Sequence, residues 1–431
     1  MTTPASFRKG WCPGALRPMP TGDGLLVRLR LSCGILPSTT ALELARCATD
    51  YGNGLFDLSS RGNLQMRGVQ PEALPHLQTR LDVLGLIDQD AQVEAVRNIL
   101  VSPLAGLAAA IDVRPIAKAL EAELAGNKAL HALPGKFGFL IDDGTTPSLA
   151  NIPADIRFDF IGKAEGFAIK IAGTSAQSVH LGHCEAPDIV SVAVRLASAF
   201  IGLGSTRDEP PRRMRDLVKG LGAETIAKAA GLSLSTERHS LTDHSTPIGL
   251  LSIGPELHGL CIAAPFGRLT ASMLEGAAKA AARYALGELR LTPWRALLVP
   301  GIAACEIQRL RDHFASLNFI VDEHDPRLAI EACTGAPFCE RATTQTHRDA
   351  LALAGLARRL QKTGTALHVS GCAKGCARSA ATAYTLTGNG GRYDLIVNGR
   401  PSDLPKARGL TLDAVKALFE TCCQDQQMEH A

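Results

Sequence analysis

Glu331-Ala-Cys-Thr-Gly-Ala-Pro-Phe-Cys-Glu-Arg341 and His368-Val-Ser-Gly-Cys-Ala-Lys-Gly-Cys-Ala-Arg-Ser379 hold four cysteines around which the rest of the chain can be read. Cys333 and Cys339 are spaced Cys-x5-Cys, Cys372 and Cys376 are spaced Cys-x3-Cys, and 32 residues separate the pairs. Thiolates are soft ligands, and four of them at loop and helix ends can enclose a cubane iron–sulfur cluster. Structural zinc commonly sits on tighter Cys-x2-Cys knuckles, so zinc is a weaker reading, as are a disulfide pairing and four merely packed thiols. Gly371 and Gly375 each precede a cysteine, where a missing Cβ lets backbone N–H groups approach a bulky cluster.

Working outward, Leu25, Val27, Leu29 and Leu31 alternate with Leu26, Arg28, Arg30 and Ser32, which predicts a strand. Ser38 is placed to cap a helix that ends near Gly52, and residues 54–69 alternate again. This strand–helix–strand unit recurs. Residues 259–267 echo the first strand, a helix follows from Ser272 to Leu286, and residues 289–301 align with the second strand so that Gly301 falls on Gly68, Trp294 on Arg61 and Arg295 on Gly62.

Helices are expected at 71–86, at 113–126 with Ala117, Leu120 and Leu124 on one face, at 186–200, at 346–360 and at 412–423. Strands are expected at 154–160, 166–173, 318–323 and 366–371, with a hairpin at 391–400. The division that results is 15–75, 76–205, a linker and helix at 206–245, 246–305, and 306–425 with the cysteines.

The cysteine pattern resembles the cluster signature of the sulfite and nitrite reductase family, in which a [4Fe-4S] cluster lies against a siroheme. The resemblance implies an α+β fold: a duplicated arrangement of two ferredoxin-like halves and two larger α/β repeats around a pseudo-twofold axis. It also implies that Cys333, Cys339, Cys372 and Cys376 hold the cluster, with Cys376 facing the tetrapyrrole. Ser59-Ser-Arg-Gly-Asn-Leu-Gln65 resembles the family's Thr-x-Arg-x-x-x-Gln segment, and Arg97-Asn its Arg-Asn loop. Arg61, Gln65 and Arg97 therefore match positions that contact tetrapyrrole carboxylates or the bound anion. Arginine suits that task because it stays charged and binds carboxylate bidentately. Read without the family, Arg61 is a solvated strand residue, and Arg97 stands evenly between a helix C-cap and an anion binder.

In Leu133-Pro-Gly-Lys-Phe-Gly138 the family would have two lysines; Lys136 matches the first, but Gly138 stands at the second. A cationic donor is missing where a small oxyanion would be held, which weakens electrostatic stabilisation and proton delivery. That departure, with Arg17-Pro-Met-Pro-Thr-Gly-Asp-Gly-Leu-Leu-Val27, resembles the precorrin-3B synthase branch, where the tetrapyrrole is substrate. The branch implies O2-dependent hydroxylation of precorrin-3A at C20 with γ-lactone formation, a mononuclear non-haem iron, and a separate electron donor, NADH-linked reductase or ferredoxin. A siroheme-dependent sulfite or nitrite reductase is the alternative. A non-catalytic tetrapyrrole or cluster carrier is a third, although it would have no use for the cations.

With 45 basic against 42 acidic residues, the chain lacks the broad positive footprint of a nucleic-acid binder. Twelve cysteines suit a reducing cytoplasm, and no leader or membrane span is expected. No Gly-x-Gly-x-x-Gly stands between a strand and a helix, so a built-in nicotinamide domain is not expected. His180, His183 and Cys184 have loose metal-ligand character, but residues three apart on a strand face opposite ways, so a joint site would need a turn.

Overall fold

The computed structural model describes residues 12–108, 110–234, 239, 241, 247–254, 256–361 and 364–428, so part of the expected 206–245 linker lies outside the described residues. The chain begins with β1 (Met19–Thr21), β2 (Gly24–Leu29), β3 (Ile35–Pro37), α1 (Ser38–Tyr51), β4 (Leu55–Leu58), β5 (Leu64–Val69) and α2 (Leu74–Val83). The first larger repeat holds α3 (Ala91–Val96), β6 (Ile99–Val101), α4 (Arg114–Gly126), β7 (Phe139–Asp142), β8 (Ala154–Gly162), β9 (Gly166–Gly173), β10 (Val179–Cys184) and α5 (Ile189–Ser205). Two short helices, α6 (Met214–Leu221) and α7 (Ala223–Ala229), lead to β11 (Gly249–Ser252), β12 (Leu257–Ala263), β13 (Arg268–Thr270), α8 (Ala271–Tyr284), β14 (Glu288–Leu291) and β15 (Ala296–Ala303). Then come α9 (Ile307–Ser316), β16 (Ile330–Ala332), α10 (Thr346–Leu360), β17 (Leu367–Ser370), β18 (Thr382–Asn389), β19 (Arg392–Gly399), β20 (Ala407–Leu410) and α11 (Leu412–Met428).

Duplication is written into the backbone. Cys33 and Phe266, Gly34 and Gly267, Gly54 and Gly287, Gly62 and Arg295, and Gly68 and Gly301 all adopt positive φ, and every pair is separated by the same number of residues. The two small sheets run β1-β2-β5-β4-β13 and β11-β12-β15-β14-β3, so each half lends its short third strand to the other. Arg268 thereby pairs with Asp57, and Leu289 with Leu36. Helices α1 and α8 pack together in one core spanning both halves, where the small side chains of Ala41, Ala45, Ala48, Ala277, Ala278 and Ala281 are buried.

The larger sheets repeat each other as well. In β10-β9-β8-β7-β6 and in β16-β17-β18-β19-β20, three neighbouring parallel strands are followed by antiparallel ones. Each covers its own core, one around Leu120, Phe158 and Leu196, the other around Leu353, Leu367 and Phe419.

Three local expectations need correction. Ser38 is the first helical residue rather than a cap; its N–H is taken by Gly287 O at 2.9 Å. The strand expected at 318–323 reduces to one bridge, Ala263 to Ile320, because Phe319 and Ile320 turn into the core. Residues 54–69 form two strands, with Arg61 in the turn between them rather than on a strand. Helix 186–205 is long and apolar enough to cross a membrane, a test that core helices pass too; here Val192, Leu196 and Phe200 are buried in the core of the first repeat.

Candidate functional site: a four-cysteine arm facing a cationic cleft

Strands β16 and β17 run parallel with Ala332 opposite Val369. Both cysteine pairs therefore leave the C-terminal ends of adjacent parallel strands, where α/β sheets gather ligands. Cys333 N donates to Val369 O at 3.2 Å, and Gly371 N donates to Cys333 Sγ at 3.1 Å. Gly371 is required sterically, since a Cβ there would lie 2.6 Å from Ala342 Cβ, and Gly375 has φ +62°. All four thiols are free of disulfides. Burial pushes Cys376 up to about 11; Lys374 opposes this, and Cys333, Cys372 and Cys339 add to it. Cys376 thus lies within electrostatic reach of the other three sulfurs.

Among the described residues, no group of three His, Cys, Asp or Glu is gathered closely enough to hold a metal ion. Cys333, Cys339, Cys372 and Cys376 are the soft donors that a cubane would take, and the Gly371 N–H already lies on one of their sulfurs.

A cleft opens that is lined by Arg30, Arg61, Arg97, Lys136, Gly138 and Arg213, among others. Arg61 projects from the β4–β5 turn, where Gly62 has φ +63°. Lys136 lies in the loop closed by the Phe137 N to Pro134 O bond at 2.7 Å. Neither forms an ion pair with a described carboxylate. Desolvation and then the nearby Arg213 lower the Arg61 pKa. Desolvation, Arg61 and Lys374 lower that of Lys136, although Cys12 opposes them. Lys374 belongs to the Cys372–Cys376 loop, so the cysteine arm lies within electrostatic reach of the cleft.

Arg97 also lines the cleft, yet its charge is matched. Its Nε lies 2.9 Å from Asp88, its Nη1 lies 3.6 Å from Glu121, and its Nη2 donates to Arg30 O at 3.2 Å. Its backbone is the C-cap of α3. Gln65 is outside the lining and instead accepts from Arg28 Nη2 at 3.1 Å.

Two further residues near these cations carried no motif. Arg213, in the basic linker, lies 3.0 Å from Asp155. Cys12 is within electrostatic reach of Arg28, Arg30, Arg61 and Lys136, but a lone cysteine offers no spacing signal.

At Gly138 an added Cβ would meet only Asn98 O, at 3.7 Å, and φ is not in the left-handed region. A side chain would fit, so the missing lysine is a chemical difference and not a steric one.

The histidines depart from simple strand alternation. A register shift between His180 and Gly182, with Gly182 at φ +128°, brings the His180 and His183 ring centroids to 5.0 Å. His239 stands 5.8 and 5.1 Å from them.

The description "Nitrite/Sulfite reductase ferredoxin-like half domain" matches residues 17–84 and 254–317, the two exchanged halves. "Nitrite and sulphite reductase 4Fe-4S domain" matches residues 92–237, the first larger repeat, so the four cysteines lie in the second copy. The chain belongs to the nitrite and sulfite reductase family. Within the family it is 31% identical over 412 residues to a precorrin-3B synthase from Sinorhizobium sp, covering 94% of this chain and 86% of that one. It is 27% identical over 413 residues to a ferredoxin–nitrite reductase from Synechococcus elongatus, covering 90% and 80%. The solved structure of Mycobacterium tuberculosis NirA protein shares the family fold, with a TM-score of 0.74 at 21% identity over 91% of this chain and 79% of that one.

Proposed function

We propose that this chain is an oxidoreductase acting on precorrin-3A in cobalamin biosynthesis, hydroxylating C20 with O2 and closing a γ-lactone to give precorrin-3B. The observation that carries this reading is the cleft itself: Arg61 and Lys136, unpaired among the described residues, line it together within electrostatic reach of Lys374 in the cysteine arm, while Gly138 stands where a second oxyanion-holding lysine would be. A cleft rich in separated cations suits a ring bearing many carboxylates better than one small oxyanion. The greater identity to a precorrin-3B synthase than to the nitrite reductases points the same way.

Cys333, Cys339, Cys372 and Cys376 would hold a [4Fe-4S] cluster, with Cys376 toward the ring. When bound, the cluster supplies electrons singly, drawn from a separate ferredoxin-type or NADH-linked donor. Arg61 and Lys136 bind acidic side chains of the ring and set its orientation; Arg213 adds a third cation, tethered by Asp155. Arg97 braces the cleft wall through Asp88 and Glu121. The mononuclear iron implied by the resemblance finds no ligand group among the described residues, and the reading rests on cluster and cleft alone.

Incubating the anaerobically purified protein with precorrin-3A, a chemical reductant and 18O2 tests the reading. Appearance of labelled precorrin-3B supports it. Reduction of sulfite or nitrite with precorrin-3A left untouched favours the reductase reading, in which siroheme fills the cleft.

A further inference from the structure

Three arginines reach from the ferredoxin-like halves into the cysteine arms. Arg67 Nη2 donates to Phe338 O at 3.1 Å. Arg268 Nη2 donates to Thr334 Oγ1 at 3.3 Å, and its guanidinium lies 5.2 Å from the centre of the Phe338 ring. These two share Asp57, which accepts from Arg67 Nη1 at 3.0 Å and from Arg268 Nε at 2.8 Å.

Arg295 ties the two arms to each other. Its Nη2 donates to Ala377 O at 2.6 Å, directly after Cys376, and its Nη1 lies 3.9 Å from Glu331 on the strand that feeds Cys333. Arg378 holds the same Glu331 at 2.6 Å. The Arg295 backbone is left-handed, with φ +57°, where its counterpart in the duplicated half is Gly62 at φ +63°. Left-handed φ disfavours any side chain bearing a Cβ, and such strain concentrates where a side chain has work to do. An arginine thus occupies a glycine conformation at a point from which its side chain spans both arms.

We infer that Arg295 is a positioning residue for the cluster: it fixes the Cys372–Cys376 arm to the Cys333 strand and places a cation beside the bound group, favouring its more negative, reduced state. The inference rests on the reading that the four cysteines hold a cluster.

Arg295→Gly in the full-length, cluster-loaded protein separates this role from a general structural one, because glycine suits the backbone. Its thermal midpoint should match or exceed the parent's. Iron release to a chelator should quicken several-fold, the reduction potential should become more negative, and the EPR signal of the reduced cluster should change. Arg295→Lys keeps the charge without the planar fork, and should restore the potential more fully than the cluster lifetime. A glycine variant with the parent's potential and release rate overturns the inference. A parent that assembles no cluster overturns the cluster reading and this inference together, whereas a loaded parent with an indifferent variant overturns this inference alone.

Discussion

Replacing Arg61 and Arg97 separately by methionine should give opposite phenotypes, although both line the same cleft. Arg61 stands in a turn at the cleft and has no carboxylate partner among the described residues, so its removal should leave folding intact and remove one contact to a ligand carboxylate. A hydrogen bond to a charged group contributes about 1.5–3 kcal/mol; discounted for exposure to about 1–2 kcal/mol, this predicts roughly a 5- to 30-fold weaker Kd. Arg97 instead neutralises Asp88 and Glu121, and all three side chains are mostly buried. Its loss strands two carboxylates and should cost about 3 kcal/mol of stability, the low end for a broken buried pair. Fluorescence titration with a polycarboxylate porphyrin at two salt concentrations reads the first effect, and denaturant unfolding reads the second. The Arg61 variant should also show a shallower salt dependence. The reasoning fails if Arg61→Met binds within twofold of the parent, or if Arg97→Met keeps full stability and loses only affinity.

Asp159→Asn should destabilise the first repeat by about 3–5 kcal/mol, because fully buried Arg157 and Lys170 both pair with Asp159, at 2.7 and 2.8 Å; a loss below about 1 kcal/mol by chemical denaturation would contradict this. His368 is fully buried, and desolvation lowers its pKa to about 4. The unfolded chain therefore takes up a proton that the folded chain refuses, so stability is full above about pH 6.5 and falls toward pH 4 by up to about 3 kcal/mol; His368→Leu should flatten that acid limb, and an unchanged pH profile would refute the assignment. Gly138→Lys should leave the thermal midpoint nearly unchanged, since the site is open, and should tighten sulfite binding roughly 5- to 30-fold by adding one charged contact. Unchanged sulfite affinity in calorimetry would mean that position 138 does not face the anion.

How much could be read from the chain alone depended on whether the signal was local. Cysteine spacing singled out the segments 333–339 and 372–376, which the pairing of β16 with β17 brings to adjacent strand ends. The duplication was legible in the matched strand and helix patterns, and the shared left-handed residues, Gly62 with Arg295 and Gly68 with Gly301, support the same register. Strand exchange was not legible: the alternation read at the first strand ends at Ser32, and nothing in residues 35–37 names Glu288–Arg290 as their partners. Nor was the neutralisation of Arg97, since Glu121 reaches it from α4, far along the chain. The approach of His180 to His183 depends on a bulge at Gly182, which strict strand alternation does not contain.

The most direct test is a combined iron, sulfide and tetrapyrrole assay on anaerobically purified protein, followed by titration with precorrin-3A. The account predicts about four irons and four labile sulfides attributable to the cysteine arm, a cluster spectrum lost in Cys372→Ser, no extractable siroheme, and saturable precorrin-3A binding. Stoichiometric siroheme in the extract, or a cluster that survives Cys372→Ser unchanged, would contradict it.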